Sequence, residues 1–334
     1  MKIIVVSLNP CIDWQYTVPK YEHGELNRVQ RTRSDVAGKG INVAIALKNL
    51  GLSPLCVGFN FAENGALLTQ RLDALGVRHN FVEVNGAIRV NIKLYEETTK
   101  TMTELNQSGA FVAESAQAEL LAKLENLNDE AGILVLSGSY PQGVPVDFYA
   151  SICQKWRGKI FLDAEGEALV RAVDTGCVFA IKPNLFELTG AFGVSQRERL
   201  SAENPIEIAK FCREEIFSHS RRRGNLEIVC VSMGANGAVF ATPENAFYCP
   251  ALDVIAKGVA GAGDSMVAGM VYAYAKNFPR TKFLPCAMAA AAASITLDGT
   301  EMCTLEGFNT QYAKLHDFRG GIIAQLDNLT HSNI

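Results

Sequence analysis

Gly261-Ala262-Gly263-Asp264-Ser265, running into the helix-like apolar stretch Met266 to Lys276, is where the reading of this 334-residue chain starts. Small residues open a turn, a carboxylate follows at once, and a helix begins. The first backbone N–H groups of a helix lack intrahelical partners and point outward, so this turn can cradle an anion. The positive end of the helix dipole favours a charged carboxylate, so Asp264 is expected to stay ionised. An anion cradle with a base beside it suits phosphoryl transfer to a hydroxyl. A plain helix-start Asp is an equally good reading of Asp264 taken alone.

Working outward, 48% of the residues are hydrophobic and 20% charged, enough for a large core in one α/β domain or two smaller ones. The formal net charge of −4 argues against a nucleic-acid or anionic-membrane binder. A phosphorylated ligand would need locally clustered Arg and Lys. Nine cysteines without a C-x-x-C pair indicate a reducing compartment, with neither a disulfide framework nor a zinc site. The apolar start Ile3-Ile4-Val5-Val6 is too short for a signal peptide, and Ala287 to Ser294 is too short to span a membrane, so a cytoplasmic protein is expected.

β-Branched runs alternate with helix-period segments, the pattern of a mostly parallel, doubly wound sheet with helices on both faces. Predicted core strands are Ile3–Leu8, Leu55–Phe59, Ile133–Ser137, Ile160–Asp163, Val178–Ile181 and Ile228–Ser232. Predicted helices are Ile41–Leu50, Ala66–Leu75, Ala116–Leu124, Val146–Lys155, Ile206–Phe217, Ser265–Lys276 and Phe283–Leu297. Two segments interrupt the alternation, about 14–33 and 80–106. In the second, Val82, Val84, Val90, Ile92 and Leu94 alternate with polar neighbours, as in a small sheet with one wet face. Together the two excursions could form a lid over the C-terminal strand edges, where α/β proteins bind ligands. Arg221-Arg222-Arg223 reads as a solvated loop.

Candidate site residues fall at strand ends or helix starts. There is no G-x-x-x-x-G-K-[ST], and Gly261-Ala262-Gly263 lacks the third Gly of a dinucleotide fingerprint. Gly38-Lys39-Gly40-Ile41-Asn42 opens a helix, its glycines allowing close backbone approach and Asn42 supplying an amide. Asp13 follows the first strand, where a carboxylate suits sugar hydroxyls. Arg89, Asn91 and Lys93 share one strand face at period two and could meet a phosphate. Asn184 and Glu187 lie three apart at a helix start and could hold hydrated Mg²⁺. Val231 to Gly237 is a strand followed by a Gly-bearing turn suited to a nucleotide.

The set Gly38-Lys39-Gly40-Ile41-Asn42, Gly138-Ser139-Tyr140-Pro141, Lys182-Pro183-Asn184 with Glu187, and Gly261-Ala262-Gly263-Asp264 resembles the ribokinase-like (PfkB) carbohydrate kinases from about Met1 to Thr304. Asn9-Pro10 with Asp13, Arg89-x-Asn91-x-Lys93 and Thr103-Glu104-Leu105-Asn106 resemble its phosphosugar branch, which includes 1-phosphofructokinase and tagatose-6-phosphate kinase. The resemblance implies a single kinase domain over 1–334 with a small β-sheet lid, and ATP-dependent phosphorylation of a ketohexose monophosphate, fructose 1-phosphate first and tagatose 6-phosphate second. It implies Asp264 as general base and the Gly261, Ala262 and Gly263 backbone as anion hole. Asp13, Gly38, Asn42 and Asn91 would meet the sugar, and Lys39, Arg89 and Lys93 its phosphate. Lys182, Asn184, Ser232, Gly234 and Gly237 would serve ATP, and Asn184 with Glu187 would serve Mg²⁺ through water. A homodimer through the lid follows from the same resemblance. Another sugar or nucleoside kinase, or a non-catalytic sugar-phosphate-binding regulator, remains open. The chain departs from the family at Ala37, at Tyr140 and in the lead-in Lys257-Gly258-Val259-Ala260.

Overall fold

A computed structural model describes residues 1–128, 132–193, 200–218, 224–315 and, for the backbone alone, 324–325. The strands in chain order are β1 (Ile3–Ser7), β2 (Cys11–Val18), β3 (Arg31–Ala37), β4 (Leu55–Glu63), β5 (Arg78–Ala87), β6 (Arg89–Glu96), β7 (Thr101–Asn106), β8 (Ile133–Ser137), β9 (Lys159–Asp163), β10 (Ala180–Ile181), β11 (Ile228–Ser232), β12 (Ala238–Ala241), β13 (Ala246–Cys249) and β14 (Ala324–Gln325). A 10-stranded sheet has the order β14-β13-β12-β11-β10-β9-β8-β1-β4-β5, and a 4-stranded sheet the order β3-β2-β6-β7. From β5 to β11 every pairing in the large sheet is parallel. Both faces of its central strands are covered, which is why β1 and β8 read as unbroken apolar runs buried at every position. From β1 the chain builds outward to β4 and β5, then crosses back to lay β8 on the other side. That reversal opens a crevice at the C-terminal ends of β1 and β8, the usual ligand position in such sheets.

The helix Lys39–Asn49 packs across β1 at close range. Gly40 permits this: a Cβ there would lie 2.6 Å from the Val6 carbonyl oxygen. Gly40→Ala is expected to cost about 1–3 kcal/mol through forced displacement of that helix, read as a lower urea midpoint. An unchanged midpoint would show that the helix shifts freely.

The predicted core strands all lie in the large sheet, although Val178–Ile181 shortens to β10. Val82 and Val84 correct the reading of the small sheet: they belong to β5, the edge strand of the large one. An edge strand with one exposed face alternates just as a strand of a small wet sheet does. The small sheet is built instead from β2, β3, β6 and β7, with β2 and β6 parallel at its centre. The segment Ile206–Phe217 divides into an α-helix, Pro205–Phe211, and a π-helical turn, Cys212–Phe217. The helix start expected at Asn184 opens the helix Leu185–Phe192, whereas the antiparallel margin β12–β14 and the helices Gly166–Val173 and Leu305–Lys314 are absent from the sequence reading. Arg221 to Arg223 lie outside the described residues. Among the described residues no helix is long and apolar enough to cross a membrane.

Candidate active site

Gly261 adopts a left-handed φ of 77° and ends the loop leading to the helix Ala262–Ala275. No side chain caps that helix, so its N-terminal face is open to an anion. Behind it, Ser265 Oγ lies 2.6 Å from Ser294 Oγ, which accepts from the Cys303 amide at 2.8 Å. This buried network fixes the helix start from the protein side. Asp264 is itself buried and accepts a 2.8 Å hydrogen bond from Asn42 Nδ2, joining the two glycine-rich helix starts.

Asp264 is expected to stay ionised, and at neutral pH it largely does, but its surroundings weaken that preference. Burial, reinforced by the nearby Asp163 carboxylate, pushes its pKa up to about 6, against the lowering effects of Asn42, Lys39 and Lys182. Desolvation outweighs the helix dipole here. The result is a carboxylate poised near neutrality, as a general base should be.

Asp163, at the end of β9, was not singled out from the sequence, yet it anchors the centre of the site. Its side chain is 0% exposed and lies 3.4 Å from Lys182 Nζ and 3.6 Å from Lys39 Nζ. Burial alone would raise its pKa, but the two ammonium groups outweigh it and hold the carboxyl below its usual range. Lys39 reaches Glu187 as well, at 3.2 Å, and Asp163 is the main cause of its raised pKa. Lys182 runs beneath the anion cradle: a Cβ on Gly263 would lie 3.2 Å from its Nζ. One carboxylate thus holds two lysines at the base of the crevice.

The crevice contains a cavity of ≈ 140 Å³ whose lining includes Ser7, Asn9, Lys39, Arg89 and Ser139. Two cations in one recess suit an anionic ligand. Arg89 braces the recess by donating to the carbonyls of Asn9 and Gln107, both at 3.1 Å. Asn9 Nδ2 in turn donates to the Ser108 carbonyl at 3.0 Å and to Ser139 Oγ at 3.3 Å. Gly38 sits against Pro10 with φ of 123°, a conformation costly for any residue with a side chain.

Lys93 and Asn91 do not line that cavity. Asn91 Nδ2 donates to Asp13 Oδ1 at 2.9 Å, and Lys93 Nζ lies 2.7 Å from Asp13 Oδ2. Ser232 lies beside Lys182-Pro183-Asn184: its backbone N–H donates to the Pro183 carbonyl at 3.0 Å, and a bridge joins it to Asn184. Gly234 has φ of 59° with open space around it, whereas a Cβ on Gly237 would come within 2.0 Å of the Cys249 carbonyl oxygen. Gly237 therefore meets a packing requirement of the β11–β12 turn. The departing residue Lys257 pairs with Asp298 at 3.2 Å on the surface.

Asn184 and Glu187 form a capping box at the start of Leu185–Phe192: Asn184 Oδ1 accepts from the Glu187 amide, and Glu187 Oε2 from the Asn184 amide. Only Glu187 Oε1, which also accepts from Lys39, is left to face the crevice. Among the described residues no group of three or more His, Cys, Asp or Glu side chains could cage a metal ion. The donor set fits Mg²⁺ that arrives with phosphate oxygens and keeps its waters, with Glu187 reached through one of them.

The pfkB family carbohydrate kinase model matches residues 2–306. The 1-phosphofructokinase of Escherichia coli (strain K12) is 30% identical over 300 residues, covering 88% of this chain and 91% of that protein. The 1-phosphofructokinase of Bacillus subtilis (strain 168) is 31% identical over 280 residues, covering 83% and 87%. Among solved structures, phosphofructokinase-2 from Escherichia coli in complex with substrates and products superposes with a TM-score of 0.85 at 27% identity, covering 94% of this chain and 99% of that one. The ribokinase-like architecture, the uncapped glycine turn beside Asp264 and these matches lead to one conclusion: the chain belongs to the pfkB family of carbohydrate kinases, phosphotransferases that use an alcohol group as acceptor.

Proposed function

We propose that this protein transfers the γ-phosphoryl group of ATP to the free primary hydroxyl of a ketohexose monophosphate, converting fructose 1-phosphate to fructose 1,6-bisphosphate. The observation that carries the reading is the recess holding Lys39 and Arg89, in the same crevice whose Lys39–Asp163–Lys182 chain leads to Gly263 and Asp264. One end offers cations for a phosphate already on the sugar; the other offers a base and an anion cradle. The names of the two bacterial relatives support fructose 1-phosphate as substrate.

In this reading Asp264 accepts the hydroxyl proton, and Asn42 holds its carboxylate in place. The amides at Gly261, Ala262 and Gly263, with Lys182, stabilise negative charge where the phosphoryl group passes. Asp13, Gly38 and Asn91 face the sugar, and Arg89 and Lys39 its phosphate. The Ser232 and Gly234 turn, with Asn184, borders the nucleotide. Glu187 would hold Mg²⁺ through water, and the ion would supply neutralisation of phosphate charge. The small sheet acts as a lid, and its exposed Leu105 and Met102 fit a homodimer formed through it in the cytoplasm.

Arg89→Ala is expected to raise the KM for the sugar phosphate by roughly 10–100-fold, the worth of a hydrogen bond to a charged group, with kcat changed much less. Arg89→Lys should recover part of the loss. An unchanged KM would favour an unphosphorylated acceptor. The acceptor is identified by ADP release with fructose 1-phosphate, tagatose 6-phosphate and fructose 6-phosphate side by side. The reading requires the highest kcat/KM for fructose 1-phosphate; preference for tagatose 6-phosphate would select the alternative.

A further inference from the structure

We infer that Lys93 is a positioning residue that acts through Asp13, and not a ligand of the substrate phosphate; the inference deepens the function proposed above and rests on it. On the small sheet Asp13 is directly opposite Asp35 on one side and Asn91 on the other. Two carboxylates facing each other across neighbouring strands repel unless each has its own cation. Asp35 has one in Arg33, which donates to both its oxygens at 2.7 and 3.0 Å. Lys93 is the cation for Asp13, its Nζ 2.7 Å from Oδ2, with side chains only 11% and 7% exposed.

The rest of the Asp13 carboxylate is also engaged. Its Oδ1 accepts from Asn91 Nδ2 at 2.9 Å and from Cys11 Sγ at 3.3 Å. A carboxylate offers about four acceptor sites, so these contacts leave room for one more donor, in one direction. That aims Asp13 at a single sugar hydroxyl. Lys93 has no comparable freedom to leave: Glu104 is directly opposite it on β7. It is also missing from the lining of the cavity that Lys39 and Arg89 share. A largely covered ammonium, paired with Asp13 on one neighbouring strand and facing Glu104 on the other, orients the Asp13 carboxylate.

The test is a double-mutant cycle on the full chain. Lys93→Met is expected to raise the sugar-phosphate KM about tenfold, with the KM for ATP and inhibition by inorganic phosphate unchanged. Lys93→Arg should restore most of it. Asp13→Asn combined with Lys93→Met should be no worse than Asp13→Asn alone, because the lysine acts only through the carboxylate. Additive losses, or weaker inhibition by inorganic phosphate in Lys93→Met, would overturn the inference and return Lys93 to the phosphate. The same coupling is read without substrate: Lys93→Met should lower Tm, and adding Asp13→Asn should restore part of it. No restoration also overturns the inference. If the unmodified chain turns over no ketose phosphate while the thermal coupling holds, it is the proposed function that has failed.

Discussion

Asp264→Asn is expected to lower kcat by about 10²–10⁴-fold, the usual contribution of a positioned general base, while ATP binding stays measurable. The substitution is nearly isosteric, and its amide oxygen can still accept from Asn42, so the anion cradle should stay intact. A pKa pushed up to about 6 leaves the carboxylate largely ionised at neutral pH, and kcat/KM should fall about tenfold per unit as pH drops below it. The variant should lose that acid limb. Its stability should move the opposite way. A carboxyl raised from 3.8 to about 6 disfavours folding whenever it is ionised, so the native state loses stability as pH rises through that window. Asp264→Asn should therefore be more stable than the unmodified protein at pH 7, and the difference should close near pH 4. Denaturant melts at both values test this. Near-normal turnover in the variant would remove Asp264 from the base role.

Asp163→Asn carries the second large expectation. Lys182 is only 4% exposed, and Asp163 is the carboxylate beside it, whereas Lys39 retains Glu187. Removing one partner of a buried pair strands the other charge, at a cost of about 3–5 kcal/mol. Because the Asp163 pKa is depressed below its ordinary 3.8, its contribution is complete above that value and is lost only in more acid solution. The destabilisation should thus be full at pH 7 and shrink near pH 3. Activity gives a second readout, since Asp163 helps hold the Asp264 pKa up. In Asp163→Asn the acid limb of kcat/KM should shift to lower pH, even where the folded fraction is unchanged. A limb that stays put would mean that burial alone sets Asp264.

Much of this was legible in the chain because it depends on local chemistry. Glycines at 38, 40, 261 and 263 mark backbone that must approach something closely, and buried strands betray themselves as unbroken apolar runs. Pairwise compensation was not legible. Period two correctly put Asn91 and Lys93 on one strand face, but only the register β2-β6 reveals that both point at Asp13. Asn184 and Glu187 at spacing three read equally as metal donors and as a capping box, since both need an amide or carboxylate at a helix start. Asp163 did leave a signal: a carboxylate closing Ile160-Phe161-Leu162 is a charge at the C-terminal end of a buried strand, on the ligand-binding edge. The raised pKa of Asp264 left none, because it arises from depth and from a neighbour about 100 residues away in sequence.

The most direct test of the proposed reaction is the ³¹P NMR spectrum of the protein incubated with ATP, Mg²⁺ and fructose 1-phosphate. The expected result is a second phosphomonoester resonance on the sugar, growing in step with ADP and absent with Asp264→Asn. ADP without that resonance, or no ADP from any ketohexose phosphate, would contradict it.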